Sequence, residues 1–537
     1  MHTVRSSRPG SAQDRLKGRV LPGEDGTLRS DGNLTASALR GMLWMSWGKG
    51  GRALLQIGVV AILARLIAPV DFGLVSAAFV VISFASIFAH IGLGKGLVQH
   101  PSLRTEHIVV ALHTSVLLGL VLAGAACLFA VEIAAFFRIP GLAPVMRVMA
   151  ISFPLRGIAV VPESLLQREL RFQWLANREL VSYAVGYGCV GVVLAFAHWG
   201  AWALVSAHLA QSAVNTVLLL IARPAPLKLK WEWQALRELL WFGGGYTLGR
   251  IANQCASEGD KLVVGRSLGP AALGVYGRAF QLMAVPADVL GDILDNVLFP
   301  TMARAQEDSK RLGSAYRRGV SLMALVMLPT GIAFYLLAPQ IVQVTLGSKW
   351  SAAVVPFQIL ALGLLFRTSC RMSDALARAR GLVYGRAWRQ ALYAAGIIGG
   401  AWLGQSWGVS GSAVGVLIAL CINFFLMAQL SLKIVDIGWR SFLAAHLPAL
   451  LLAGMTGGMV LASLALGSKL SFPPAALLAS ATIATLVAVT VLAYKYPRFF
   501  LGADALWMID TLRLHFPWLR RVRLPIALTP EIHLQRR

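Results

Sequence analysis

The sequence predicts an all-α integral membrane protein of about fourteen transmembrane helices: two pseudo-symmetric six-helix lobes around a central cavity, plus two C-terminal helices. Three observations predict it. The 537 residues are 57% apolar and 14% charged, with a mean hydropathy of +0.67, whereas soluble chains carry about 25% charged residues. Positive charge alternates from loop to loop. A segment of the first half of the chain returns, some two hundred residues later, in the second.

The first 40 residues, polar and rich in Ser, Gly and Arg, read as a disordered cytoplasmic tail. The apolar run from Gly41 to Ile67 is too long for the core of a signal peptide and lacks a small-residue cleavage site, so it stands as the first span. Apolar runs bounded by Pro, Gly and charge place the next spans near 72–98, 107–131, 142–165, 174–197 and 200–221. A second series falls near 239–265, 270–302, 317–337, 351–376, 386–404, 408–431, 441–465 and 472–494, each close to the ~20 residues that cross a bilayer. The expected organisation is an N-lobe over 41–221, a cytoplasmic linker over 222–238, a C-lobe over 239–431, two added helices over 441–494 and a basic amphipathic tail over 495–537. In that tail Arg513 and Arg520 mix with Phe499, Trp507 and Trp518, as in a helix lying on the inner leaflet.

Loop charges test this order. One side carries Arg104, then Arg168, Arg171 and Arg178, then Arg223 and Lys228, then Lys310 and Arg311, then Arg378, Arg380, Arg386 and Arg389, then Lys433 and Arg440. The other side carries little beyond Arg138, Arg266, Lys349 and Lys469, so the positive-inside rule puts both termini in the cytoplasm. The same rule accounts for most of the net charge of +25, and no nucleic-acid partner is expected. The five cysteines form no CxxC pair and have no His nearby at ligand spacing, so neither a disulfide framework nor a metal site is indicated.

The stretch Arg65 to Leu74 matches Arg266 to Val275 in its Arg, Pro and Gly, at an offset of 201, and Trp199-Gly200 returns as Trp407-Gly408 at an offset of 208. A duplicated unit of six helices enters the membrane twice in the same direction, a parallel repeat about an axis along the membrane normal, as in alternating-access transporters.

Three stretches closely resemble the polysaccharide transporter family: Ile62 to Gly73 (Ile-Leu-Ala-Arg-Leu-Ile-Ala-Pro-Val-Asp-Phe-Gly), Pro162 to Phe172 and Asp260 to Arg266. That family consists of bacterial flippases for lipid-linked oligosaccharides, in one superfamily with the lipid II flippase and multidrug extruders. The resemblance runs from about residue 41 to 430. It implies a V-shaped pair of lobes and export of an undecaprenyl-pyrophosphate-linked glycan across the inner membrane. The partners it implies are the lipid-linked oligosaccharide and membrane lipids, with a polysaccharide polymerase and glycosyltransferases as candidates.

The spans themselves point to an anionic cargo, because charge inside a membrane is expensive and needs a reason. In the first span Lys49, Arg52 and Gln56 share one helical face, with Gly48, Gly50 and Gly51 around them. In the seventh, Tyr246, Arg250, Gln254, Ser257 and Lys261 follow at steps of four, four, three and four. The eighth carries Arg278, Gln281, Asp288, Asp292 and Asn296 around Pro286, and the tenth a stripe of Arg367, Arg371, Asp374 and Arg378. Lys49, Arg52, Arg250, Lys261, Arg278 and Arg367 are the expected phosphate ligands, since Arg offers bidentate hydrogen bonds and Lys a point charge. Gln56, Tyr246, Gln254, Ser257, Gln281 and Asn296 are expected to line the cavity. The alternatives are ion pairs of Arg250 with Asp288 or Asp292 and of Lys261 with Glu258 or Asp260. Arg65 and Arg266, beside Pro at span ends, read as snorkelling to the headgroups. His90 and His113 read as satisfied interhelical hydrogen bonds.

Asp260, Asp288 and Asp292 are candidates for ion coupling, Asp288 and Asp292 being one turn apart. No cofactor is expected; H+ or Na+ coupling or the membrane potential would drive transport. Two negative charges leaving an inside-negative cell gain about 4 to 5 kcal/mol at 100 mV. No nucleotide-binding glycine loop and no nucleophile–base pair occurs, so no catalytic residue is assigned. A glycosyltransferase or polymerase would need a long outward loop with acidic residues. A multidrug or cation extruder would need an acidic cavity, whereas these spans are dominated by Lys and Arg. A lipid II flippase would differ only in the sugar.

Overall fold

The computed structural model describes residues 50–89, 92–224, 231–244, 247–304 and 308–507, except for the side chains of 88–89, 241–244, 247–250, 292–304, Val383 and Arg498. The expected N-terminal tail, Lys49, Tyr246, His90 and the tail beyond 507 lie outside the described residues. Among the described residues every regular element is helical. The first lobe comprises α1 (50–66), α2 (Pro69–Ala89), α3 (Leu93–Gln99), α4 (Thr105–Leu128), α5 (Ala130–Phe137), α6 (Leu142–Met149), α7 (Ser152–Arg168), α8 (Phe172–Tyr183), α9 (Val192–Phe196) and α10 (Ala201–Ala222). A π-turn over Ala184–Gly191 joins α8 to α9, set against α10 by Gly186, whose missing side chain leaves room for Gln211 and the Ala207 carbonyl.

The linker helix α11 (Trp233–Gly244) leads into the second lobe: α12 (Thr247–Arg304), α13 (Ser309–Leu336), α14 (Ala338–Thr345), α15 (Val354–Leu362), α16 (Leu364–Ala379), α17 (Val383–Gly404) and α18 (Gly408–Val435). After it come α19 (Trp439–Ala444), α20 (Leu447–Lys469), α21 (Pro474–Lys495) and α22 (Pro497–Phe500). Pro69, Pro474 and Pro497 each open a helix, where the missing N–H costs nothing.

Helix α12 is one element by hydrogen bonding but two in space. Gly269 adopts φ +83° and ψ −177°, a backbone conformation open to glycine alone. The contacts Asp260–Tyr276, Gly265–Leu273 and Lys261–Phe280 pair residues about Gly269, so the chain folds back there, with the two arms being the expected seventh and eighth spans.

By length and hydropathy, nine described helices can cross a membrane, or ten if the bent pair Ser348–Leu362 and Leu364–Ala379 (42°) forms one span. Fourteen is therefore not reached by this measure among the described residues. The first arm of α12 carries Arg250, Glu258, Asp260, Lys261 and Arg266, α1 is described only from residue 50, and α17 with α18 counts as one stretch, Tyr384–Val435.

The duplicated motif joins the lobes. An added Cβ on Gly73 would sit 1.6 Å from the Pro270 carbonyl oxygen, and one on Gly274 would sit 2.0 Å from that of Pro69. Each copy of Pro-x-x-x-Gly thus receives the other's backbone, and α2 crosses the second arm of α12 in glycine-to-carbonyl contact. Arg65 and Arg266, at the exposed span ends, reach across the seam. Arg65 donates to the Val344 carbonyl (2.7 Å) and Arg266 to that of Phe136 (2.6 Å), and these acceptors are themselves 208 residues apart, so the staple is reciprocal. Trp350, fully buried, donates Nε1–H to the Ala64 carbonyl at 2.8 Å and meets the Phe72 ring edge-on at 5.3 Å.

At the opposite end α11 docks on the first lobe. Leu236 and Leu239 join the buried cluster of Leu93, Leu97 and Val110, and Glu238 receives His107 Nε2–H (2.8 Å) and Arg104 Nη2 (3.3 Å). Arg168 caps α3 by donating to the carbonyls of Leu97, Val98 and His100. Beyond the bundle, Asp504 accepts from Arg317 at 2.9 Å and Arg318 stacks 3.6 Å from Trp507, so residues 502–507 pack on α13.

Two outcomes follow. Gly73→Ala forces the lobes apart at the crossing and costs ~1–3 kcal/mol, as overpacking does; thermal unfolding in detergent should show a lowered Tm, and an unchanged Tm would refute the close crossing. The His107 hydrogen bond, aided by Gln234 and Arg104, holds the Glu238 carboxyl below its usual range against a smaller effect of burial. A depressed carboxylate pKa gives stability that is present above the ordinary range and lost as pH falls through the folded value. Hydrogen exchange over 233–244, corrected for the intrinsic pH effect, should therefore accelerate only on acidification past that range, and Glu238→Gln should abolish the dependence.

Candidate functional site

Each lobe contains a polar cavity of about 270 Å³. In the first lobe α7, α8 and α10 enclose it; in the second, α16, α17 and α18 do so with the first arm of α12. Both are built from the same four residues. Arg156 and Glu163 on α7 recur as Arg367 and Asp374 on α16, at an offset of 211. Arg178 on α8 and Asn215 on α10 recur as Arg386 on α17 and Asn423 on α18, at an offset of 208. Among the described residues the arginine–carboxylate pair repeats, whereas the arginine–asparagine bond does not. Arg178 donates to Glu163 (2.8 Å) and Asn215 (2.9 Å), and Arg386 is paired with Asp374, while Asn423 donates to Cys370 Sγ at 3.3 Å.

Glu163 lies five residues from the C-terminal end of α7, about 8 Å along the axis, so these pairs sit inside the bundle, where lone charge is costly. Most charges are accordingly paired. Arg52 pairs with Glu179, Lys261 with Glu258 at 3.0 Å, Arg371 with Asp288 at 2.7 Å and Arg378 with Asp374 at 3.2 Å. Arg156, Arg278 and Arg367 form no ion pair among the described residues, and neither does Arg389, which donates to the carbonyls of Leu426 and Gly385. Arg278 lies 4.6 Å over Phe72 at the lobe seam and hydrogen-bonds Gln281; Tyr187, stacked on Tyr183, interacts with both Arg278 and Arg156. Arg367 stands 4.9 Å over one side of Phe280, whose ring also receives Lys261 at 5.0 Å, and its Nε is buried without a hydrogen-bond partner.

Several expected residues come together and others do not. Arg367 and Ser257 line the second-lobe cavity. Gln56, Arg278 and Gln281 line a small pocket between the lobes. Gln254 belongs to neither group. Asp288 pairs with Arg371 of α16 rather than with Arg278, which stands ten residues away along the same helix, about 15 Å. Asp260 is 2% exposed and accepts Tyr276 O–H at 2.6 Å. The side chains of Arg250, Asp292 and Asn296 are outside the described residues. His113 is satisfied within its own helix, Nδ1 lying 2.9 Å from the Val109 carbonyl. Sequence reasoning missed Arg156 and treated Arg178 and Arg386 as loop charges. The signal was present: Arg and a carboxylate seven apart, then Arg and Asn 37 apart, in both halves.

Among the described residues, His100, His107 and Glu238 form a group whose ligand atoms, all within 4.8 Å of one another, could hold a metal ion. The hydrogen bonds oppose it. His107 Nδ1 accepts from the Arg104 backbone N–H, so Nε2 carries the proton given to Glu238 and has no lone pair to offer.

Two helical lobes joined about a pseudo-twofold axis, with polar cavities within the span, define a multi-pass membrane protein of the transporter type. The chain belongs to the polysaccharide biosynthesis protein family, which it matches over residues 62–355. It is 28% identical over 388 residues to the succinoglycan biosynthesis transport protein ExoT of Rhizobium meliloti, covering 71% of this chain and 77% of that one. It is 26% identical to the lipopolysaccharide biosynthesis protein WzxC of Escherichia coli, covering 71% and 78%. In fold it is similar to the lipid II flippase MurJ in its inward closed conformation, with a TM-score of 0.68, 12% identity, and 85% and 100% coverage. It is also similar to an inward-facing multidrug resistance MATE transporter, with a TM-score of 0.57, 17% identity, and 72% and 95% coverage.

Removing one partner of a half-buried ion pair strands the other, whereas removing both leaves nothing stranded. Glu163→Gln should therefore destabilise the protein by ~1–3 kcal/mol, and adding Arg178→Gln should recover at least half of that loss in Tm. A double variant less stable than the single one would show that Arg178 contributes mainly through Asn215.

Proposed function

We propose that this protein is a flippase that moves an undecaprenyl-pyrophosphate-linked oligosaccharide from the cytoplasmic to the periplasmic leaflet of the bacterial inner membrane, by alternating access, for exopolysaccharide, capsule or O-antigen synthesis. The observation that carries the reading is the set of Arg156, Arg278 and Arg367, guanidiniums on the cavity walls and the lobe seam that form no ion pair among the described residues. An uncompensated Arg at the centre of a span costs ~2.5–3.5 kcal/mol on insertion scales, and a cargo bringing two negative charges repays that cost. A cation extruder would have no use for it.

The seam supports the direction of access. With both termini cytoplasmic, the ends stapled by Arg65, Arg266 and Trp350 face the periplasm, so the state described is closed outward and would load from the cytoplasmic leaflet. The names of the relatives, transport in succinoglycan synthesis and lipopolysaccharide synthesis, fit a glycan cargo. Lipid-linked oligosaccharide and membrane lipids are the partners this mechanism requires; a polymerase and glycosyltransferases would act before and after it. H+, Na+ or the membrane potential supplies the drive, with Asp260 and Asp288 the described carboxylates open to coupling.

Depletion of the protein should leave lipid-linked oligosaccharide on the cytoplasmic leaflet, read by comparing inside-out with right-side-out vesicles. The wild type should restore the distribution, and Arg278→Gln or Arg367→Gln should restore it at least tenfold more slowly. Collapsing the potential at fixed pH and sodium should slow export. A leaflet distribution insensitive to depletion would instead favour extrusion of small molecules.

A further inference from the structure

The first-lobe cavity has a polar wall that the second lobe does not repeat. Along α10, His208, Gln211, Ser212 and Asn215 line it at i, i+3, i+4 and i+7, one face of a largely apolar span. At the offset of 208, Asn215 returns as Asn423, but His208, Gln211 and Ser212 return as Val416, Ala419 and Leu420. Asn215 is thus common to both lobes, whereas the other three polar groups belong to the first alone. His208 sharpens the contrast. It is 5% exposed, its ring meets that of Phe79 in a T at 4.7 Å, and its Nε2 is buried without a hydrogen-bond partner among the described residues. A buried polar atom left unpaired is costly, so one placed on a cavity wall calls for an occupant.

The chemistry of the walls selects that occupant. Arg156 and Arg178 stand there with Glu163 and Glu179, so an inorganic cation would meet guanidiniums, and an apolar molecule would leave imidazole, amide and hydroxyl unpaired. A hydroxyl both donates and accepts, and a ring that carries several matches a wall mixing these three groups. At about 270 Å³ the cavity lies at the small end of ligand sites, which limits the occupant to about one ring. Its place fits as well. Tyr187 interacts with Arg156 on the cavity wall and with Arg278 at the lobe seam, and it stacks on Tyr183 at 5.1 Å, so the cavity adjoins the seam across an aromatic pair. We propose that the first-lobe cavity is a sugar subsite, which takes one saccharide ring of the cargo on His208, Gln211 and Ser212 and makes the protein selective for the glycan over its lipid carrier. The proposal rests on the reading that the cargo is a lipid-linked oligosaccharide. The second-lobe cavity, with apolar residues in these places, does not read the sugar.

The test is native mass spectrometry of the full-length protein with an equimolar mixture of two probes: lipid-linked oligosaccharide extracted from cells depleted of the protein, and undecaprenyl diphosphate, its sugar-free counterpart. The wild type should carry the glycan-bearing probe in at least about tenfold excess, as a few hydrogen bonds would give. His208→Val with Gln211→Ala installs the second lobe's own residues and should cut that excess below about threefold, while the sugar-free probe alone binds within about threefold of wild type. His208→Gln, which keeps a hydrogen-bonding nitrogen, should retain at least half of the preference. If the double variant is not monodisperse, Ser212→Leu replaces it, with the same loss expected. A wild type without preference, a preference that survives these variants, or an equal loss of both probes would overturn the sugar subsite. Absence of saturable binding of either probe by the wild type would instead remove the flippase reading beneath it.

Discussion

The crossing of α2 with the second arm of α12 is the constraint on which the rest depends. Two helices can bring backbone into contact with backbone only where no side chain intervenes, and Gly73 and Gly274 supply that gap at one point, each against the other copy's proline carbonyl. Because the motif is duplicated, a single contact rule is satisfied twice, and the lobes are related by a twofold axis through it. The Arg65 and Arg266 staples follow from the same symmetry, while Phe72 beneath Arg278 and beside Trp350 is particular to one side of the seam. The seam therefore holds one end of the molecule closed in the state described.

Charge inside the bundle obeys a second rule. Glu163–Arg178, Asp374–Arg386, Glu258–Lys261 and Asp288–Arg371 are pairs, as the price of desolvation demands. Set against them, Arg278 and Arg367 form no ion pair among the described residues and lie over the rings of Phe72 and Phe280. Cation–π contact is worth on the order of 0.5 to 2 kcal/mol, less than desolvating a guanidinium costs.

Much of this was legible in the chain. The alternation of loop charge, the repeat at about two hundred residues and the polar stripes on apolar helices required no coordinates. The family likeness rested on the residues around Arg65, Glu163 and Asp260. Less legible were the ion pairs, because a stripe such as Arg367, Arg371, Asp374 and Arg378 specifies a face but not its neighbour. Thus Asp288 met α16, Arg52 met Glu179, and Arg65 became a staple where a span-end arginine beside proline suggested a headgroup contact.

The sequence by itself determined the class of molecule, the helix order and the duplication, since these follow from hydropathy and periodicity, which are properties of neighbouring residues along one chain. Only the tertiary structure decided which charges neutralise each other and which remain, because Arg178 with Glu163 and Arg386 with Asp374 are brought together by helices that pack 15 and 12 residues apart. Electrostatic compensation inside a bundle depends on distances of a few ångströms across helix interfaces, and no periodicity along a single helix encodes them.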